Sequence, residues 1–173
     1  RSFVCALAIF DVLIKLGINP SDIKIKWPND LLIRNKKVSG ILLETTKLPT
    51  IDQEALIVGV GVNLISSPHK KELPINSLES ISLRKILVDV PSSEQFLMLL
   101  IPAYKKWEQI LVKKGFGFVR NEVLEKSIKI GTTLVVKLPD RSLEGTFQGI
   151  GIMGGLLLKT NKKTVELSAG EII

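Results

Sequence analysis

Lys24-Ile25-Lys26-Trp27-Pro28-Asn29-Asp30-Leu31-Leu32-Ile33, continued by Arg34-Asn35-Lys36-Lys37-Val38-Ser39-Gly40-Ile41-Leu42-Leu43-Glu44, is the stretch whose reading decides the fold. It has the form strand, polar corner, strand, tight turn, strand. Pro28 cannot donate to a sheet ladder and fixes its own φ, which suits a strand end. Asn29 and Asp30 tolerate turn geometry and can cap nearby amides. The corner thus collects a cation (Lys26), an aromatic (Trp27), an amide and a carboxylate within five residues. Asn35-Lys36 is the expected two-residue hairpin turn. Strict alternation over 38–44 sets Lys37, Ser39, Ile41 and Leu43 on one face and Val38, Gly40, Leu42 and Glu44 on the other. Glycine inside a strand weakens it unless something must approach the backbone, so Gly40 marks either a bulge or a ligand lying flat there.

Upstream, Phe3, Leu7, Phe10, Leu13 and Ile14 recur at helical spacing and predict an amphipathic helix over 3–16, stopped by Gly17. Downstream, 45–54 reads as a polar connection. The nearly continuous apolar run Ala55 to Val62 predicts a strand central in the sheet, ending at Asn63. Residues 65–80 form a loop containing Pro74, Asn76 and the only histidine, His69; lying among lysines without a visible partner, it is not read as catalytic. Ser82 is expected to cap a short helix reaching about Val88. Pro91-Ser92-Ser93-Glu94 starts a longer one. Pro102 is expected to kink or split that helix, and Gly115 and Gly117 to end it, with a last short helix over 119–127.

From Ile128 the texture changes to short strands, 132–138, 142–150, 155–160 and 164–167. They are separated by Pro139-Asp140-Arg141, glycines and Asn161-Lys162-Lys163, a pattern of small barrels or sandwiches. Within it, Gly149-Ile150-Gly151-Ile152-Met153-Gly154 fits a dinucleotide fingerprint. That fingerprint requires a following helix and an acidic residue about 20 positions on. Strand and turn follow instead, so the match is rejected.

Composition narrows the function classes. The 173 residues suit one domain, or one domain with a small appendix. No apolar run is long enough to span a bilayer. The single cysteine, Cys5, excludes an internal disulfide and a cysteine zinc cluster. A net charge of +7 permits nucleic acid or an acidic partner. The lysines, however, come as scattered pairs, and only 5% of residues are aromatic, which argues against a dedicated nucleic-acid surface. Cytoplasmic location is the default expectation.

Lys-Trp-Pro-Asn-Asp, then Lys37-x-x-Gly40-Ile41-Leu42-x-Glu44, then Gly59-Val60-Gly61-Val62-Asn63, resembles in order and spacing the catalytic domain of biotin protein ligases. The implied fold is α+β: a mixed, mostly antiparallel sheet with helices, class II aminoacyl-tRNA synthetase-like, over 1–127. A small SH3-like β-barrel follows over 128–173. The implied activity joins biotin to ATP as biotinyl-5′-adenylate, with magnesium on the phosphates. Biotin then passes to a lysine of the biotin carboxyl carrier domain of an acyl-CoA carboxylase.

The resemblance assigns Lys37 to the biotin carboxyl and the phosphate, and Lys26 as a second cation. Asp30 would steer the acceptor amine or take its proton. Gly40 and Leu42 would line the biotin ring pocket; Asn29, Asp30, Gly61 and Asn63, with Lys26, would hold the nucleotide. No residue is assigned as a metal ligand, and a homodimer is compatible with the resemblance. A lipoate-type ligase, or a non-catalytic fragment serving as a protein-binding module, are the alternatives. The family's Gly-Arg-Gly-Arg-type loop does not occur in this sequence. The expectation is therefore the C-terminal part of a longer protein, without a helix-turn-helix repressor domain, holding the adenylate poorly by itself and leaving a sheet edge unpaired.

Overall fold

In the computed structural model, which describes residues 1–47, 53–73, 77–161 and 163–173, helix α1 (Ser2–Lys15) is almost wholly enclosed. Every residue from Phe3 to Leu13 except Asp11 is buried, so its apolar face is broader than an amphipathic stripe. Asp11 is the polar exception because α2 (Ser93–Glu125) meets it there. Its Oδ2 accepts from Trp107 Nε1 at 3.0 Å and from Lys106 Nζ at 2.9 Å.

The first sheet is antiparallel, in the order β1 (Ile23–Lys26), β2 (Asp30–Ile33), β3 (Lys36–Lys47), β4 (Glu54–Val62). The hairpin turn is Arg34-Asn35, one residue earlier than the sequence suggests, because Ile33 pairs with Lys36. Both turn residues have positive φ, the signature of the mirror-image turns that match strand twist. Arg34 is held in that conformation by Asp22, whose carboxylate Oδ2 accepts from its Nε at 2.9 Å and whose backbone carbonyl accepts from its N–H at 2.8 Å.

Two expectations for this sheet are corrected. Strand β4 is not central; among the described residues it is the free edge, with Leu56 and Ile57 exposed. A continuous apolar run does not reveal whether a strand has one neighbour or two. Strand β3 is also longer than 38–44, so the expected connection is shorter than 45–54; its residues 48–52 lie outside the described residues, as do Pro74 and Asn76 of the loop and Lys162 of the later turn.

Helix α2 opens on a reciprocal cap between Ser92 and Gln95. It continues through Pro102 and breaks at Gly115 (φ 77°, ψ 171°), as expected; a second helical segment, which includes Gly117, follows to Glu125 where the last short helix is expected. The expected helix after Ser82 is only a 3-10 turn, Leu83–Lys85, with Ser82 making no side-chain cap bond.

The terminal part is a five-stranded antiparallel sheet in the order β8-β7-β6-β5-β9. Its strands are β5 (Thr133–Lys137), β6 (Ser142–Ile150), β7 (Leu156–Lys159), β8 (Thr164–Leu167) and β9 (Glu171–Ile172). Four match the expected strands and β9 is additional. The rejected glycine fingerprint is the turn from β6 to β7, as a strand–turn–strand reading requires. Leu134, Val136, Phe147, Ile150, Leu156, Leu158 and Ile172 are buried and continuous with the core around α1. The two sheets therefore share one apolar interior, and the chain's fold is α+β.

Candidate active site

One row of residues crosses the first sheet. Lys26 pairs with Asp30, Asp30 with Gly40, and Gly40 with Gly61, one residue from each of the four strands. Asp30 is 4% exposed and Lys26 is 3% exposed. Asp30 Oδ2 lies 3.3 Å from Lys26 Nζ, and Oδ1 lies 2.6 Å from Lys37 Nζ. The Oδ1 contact is an ion pair without hydrogen-bond alignment. Two ammoniums thus flank one buried carboxylate, giving a local excess of positive charge where water is scarce.

Strict alternation puts Lys37 and Gly40 on opposite faces, and the structure contradicts it. Leu32 pairs with Lys37 while Leu31 pairs with Ser39, so Val38 is an extra, bulged residue. The bulge shifts the alternation and brings Lys37 onto the face of Gly40. A β-carbon at Gly40 would lie 3.3 Å from Lys37 Nζ and 3.4 Å from Asp30 Oδ1. Gly40 is therefore the floor over which the Lys37–Asp30 pair lies.

Long-range hydrogen bonds hold the bulge. Val38 O accepts from Asn63 N at 2.9 Å, and Lys37 O accepts from Ile81 N at 2.9 Å. Asn63 Nδ2 reaches both Lys37 O and Ile81 O at 3.3 Å. The donor side of Asn63 is thereby committed to the bulge, while its Oδ1 accepts no hydrogen bond among the described residues. Lys37 N donates to Glu79 O at 2.8 Å. Hydrogen bonds from Lys36 and then Lys70 hold the Glu79 carboxyl below the usual carboxylate range.

Asn29 is fastened to β3 on both sides of one residue. Its Nδ2 donates to Ile41 O at 2.7 Å, and its carbonyl accepts from Ile41 N at 2.9 Å. Leu42 is 59% exposed, two residues beyond Gly40 on the open face of the sheet and opposite Gly59.

A cleft of about 410 Å³ opens beside Lys26, Asp30 and Lys37. Its other walls are Leu73, Leu78 and Ser80 of the preceding loop and Lys137, Ser142 and Glu171 of the terminal sheet. Asn63 lines a separate depression at the start of α2, and Gly40, Leu42 and Gly61 do not wall the cleft. The cleft therefore gathers the three charged candidates, while the remaining candidates lie along the adjoining sheet face or its end.

The terminal sheet grips the corner at two points that the sequence does not signal. Lys26 Nζ donates to Ile172 O at 2.8 Å, and Trp27 Nε1 donates to Gly154 O at 2.9 Å. Both acceptors are backbone carbonyls more than a hundred residues away, and a carbonyl carries no sequence signature. His69 is exposed on the loop, outside the cleft.

A charged cleft at a strand corner, closed by a second small sheet, defines an α+β protein suited to gathering an anionic reactant against paired lysines. Residues 2–63 match the Biotin/lipoate A/B protein ligase family, and residues 130–173 match the Biotin protein ligase C terminal domain. The biotin–[acetyl-CoA-carboxylase] ligase of Paracoccus denitrificans is 34% identical over 99% of this chain and 71% of that protein. The enzyme of the same name from Mycobacterium tuberculosis is 26% identical over 99% of this chain and 61% of that protein. In fold, the chain superposes on the biotin protein ligase of Aquifex aeolicus in complex with biotin and ATP with a TM-score of 0.79. That match has 24% identity and covers 99% of this chain and 69% of the other. The chain belongs to the biotin protein ligase family.

Proposed function

We propose that this chain carries the reacting centre of an ATP-dependent biotin protein ligase. The observation that carries the reading is the buried Asp30 carboxylate held between Lys26 and Lys37 at the floor of a cleft. In the first step a biotin carboxylate oxygen attacks the α-phosphorus of ATP. The bond to the bridging oxygen breaks, pyrophosphate leaves, and biotinyl-5′-adenylate remains. Two anions must meet, so cations aimed at the reacting centre lower the barrier.

Lys37, with its side chain 41% exposed beside the cleft, swings from Asp30 to the carboxylate and the α-phosphate. Lys26, fixed by Asp30 and Ile172 O, supplies a standing positive charge beneath them. Gly40 and Leu42 offer a flat apolar wall to the biotin rings. Gly61 and Asn63, the latter through its free Oδ1, receive the adenine edge, and Asn29 fixes the corner that supports the adenylate.

In the second step the amine of an acceptor lysine attacks the acyl carbon, the bond to AMP breaks, and the amine loses a proton. Asp30 is open to that proton only once Lys37 has left it. The acceptor on this reading is the biotin carboxyl carrier domain of an acyl-CoA carboxylase, an enzyme class named in the relatives. Magnesium would accompany the nucleotide and neutralise charge on its phosphates; Asp30, already facing two ammoniums, is not assigned to it. Binding through substrate phosphates is ordinary for this ion.

The chain divides on this reading into 1–127, bearing the chemistry, and 128–173, docked on the corner. Among the described residues no helix is long and apolar enough to cross a membrane; the cytoplasm is proposed as the location on the ligase reading alone. Self-association as a homodimer is a further expectation, read by sedimentation. Incubating the full-length protein with ATP, magnesium and a carrier domain tests the reading. A mass increase on one carrier lysine with biotin, and none with lipoate, is expected. Labelling by lipoate alone would favour the lipoate-type alternative, and labelling by neither would leave the binding-module alternative.

A further inference from the structure

We propose that Lys137, carried by the terminal sheet, is a further anion-binding residue of this site and receives the pyrophosphate end of the nucleotide. The inference rests on the ligase reading and extends it to a residue outside the corner.

Lys137 ends β5, where it pairs with Ser142 of β6 and Glu171 of β9. The neighbouring pair, Val136 with Ile172, contains the carbonyl that accepts from Lys26 Nζ. Lys137 is therefore one residue along β5 from the rung that clamps the corner. The second clamp, from Trp27 to Gly154, prevents the terminal sheet from pivoting about the first. Lys137 is held in a fixed relation to Lys26 and Lys37 across the shared cleft.

Charge bookkeeping separates Lys137 from the other two cations. Lys26 and Lys37 are both engaged by Asp30. Lys137 is exposed and makes no ion pair among the described residues, although Glu171 stands opposite it on β9. Of the three ammoniums facing the cleft, it is the one not committed to a carboxylate. Adenylation places the α-phosphate at the corner and drives a multiply charged leaving group away from it. An exposed, uncommitted ammonium on the facing wall suits that group, because charge-assisted contacts to phosphate oxygens are the stronger kind.

The test uses the full-length protein with Lys137→Ala, Lys137→Glu and Lys137→Arg. For Lys137→Ala, KM for ATP and for pyrophosphate in the reverse reaction should rise about tenfold. The rise should be larger for Lys137→Glu and within about twofold of wild type for Lys137→Arg. Biotin affinity and transfer from purified biotinyl-adenylate should stay at the wild-type level, which a general loss of structure would not allow. An active wild type with unchanged KM values in Lys137→Ala and Lys137→Glu overturns the inference and leaves the ligase reading standing. Titration with magnesium pyrophosphate alone provides a measurement independent of turnover. Binding by wild type and loss in Lys137→Glu supports the inference even if no adenylate forms; equal binding by the two proteins, or none by wild type, overturns it.

Discussion

Replacing Asp30 by alanine should destabilise the fold far more than removing the exposed charge of Lys37 that pairs with it. Lys26 is buried, with its ammonium between Asp30 Oδ2 at 3.3 Å and Ile172 O at 2.8 Å. Without the carboxylate, a buried charge keeps one neutral acceptor and no counter-ion. Breaking a buried pair in this way costs about 3–5 kcal/mol. Lys37 also pairs with Asp30, but its side chain is 41% exposed. Solvent screening limits Lys37→Ala to about 1 kcal/mol or less. In urea, with a slope of about 2 kcal/mol per molar, Asp30→Ala should lower the midpoint by roughly 2 M. Lys37→Ala should lower it by at most about 0.5 M on the same slope. Replacing Lys26 by methionine together with Asp30→Ala removes both charges and should recover most of the loss. Equal midpoints for Asp30→Ala and Lys37→Ala, or no recovery in the double variant, would refute a buried, mutually dependent pair.

Trp27→Phe keeps a ring in the corner but removes the donor to Gly154 O. A loss of about 1–2 kcal/mol is expected, with faster hydrogen exchange in the β6–β7 turn; unchanged exchange would mean that this contact does not hold the terminal sheet. Alkaline pH should destabilise the protein. Burial pushes the Cys5 thiol up from 9.0 to about 11. Burial, followed by the hydrogen bond to Glu108, pushes Tyr104 up from 10.0 to about 12. Both groups are neutral when protonated, and the folded state retains those protons longer than the unfolded chain. Their contribution is therefore complete below about pH 9 and is lost as pH rises toward 12, on the order of 2 kcal/mol for Cys5. Chemical unfolding at pH 8 and pH 10.5 checks the sign: a higher stability at pH 10.5 would reverse it.

The sequence makes the corner legible because its determinants are local. Pro28, Asn29 and Asp30 interrupt two short apolar strands, and the hairpin follows within a few residues. The four-strand row of Lys26, Asp30, Gly40 and Gly61 depends on pairing register, which alternation helps to set. The bulge at Val38 escapes a sequence reading because its partners, Asn63 and Ile81, lie far along the chain. It alone decides that Lys37 shares a face with Gly40. The position of β4 escapes for a similar reason, since an apolar run is compatible with an edge or a centre. Pro102 suggests a break that α2 does not make, while Gly115, free to adopt positive φ, does depart from the helix. Least legible of all is the contribution of the terminal sheet. Ile172 and Gly154 act through main-chain carbonyls, and Lys137 is one lysine among many until pairing with β9 brings it to the cleft.

The most direct test of the central claim is biotin-dependent exchange of labelled pyrophosphate into ATP by the full-length protein, compared with its Lys37→Ala variant. Exchange in wild type, and a fall of a hundredfold or more in a variant of nearly wild-type stability, is the expected result (about 2.7 kcal/mol of transition-state stabilisation). Exchange that is undiminished when Lys37 is removed would contradict the assignment of the reacting centre to the Lys26–Asp30–Lys37 cleft.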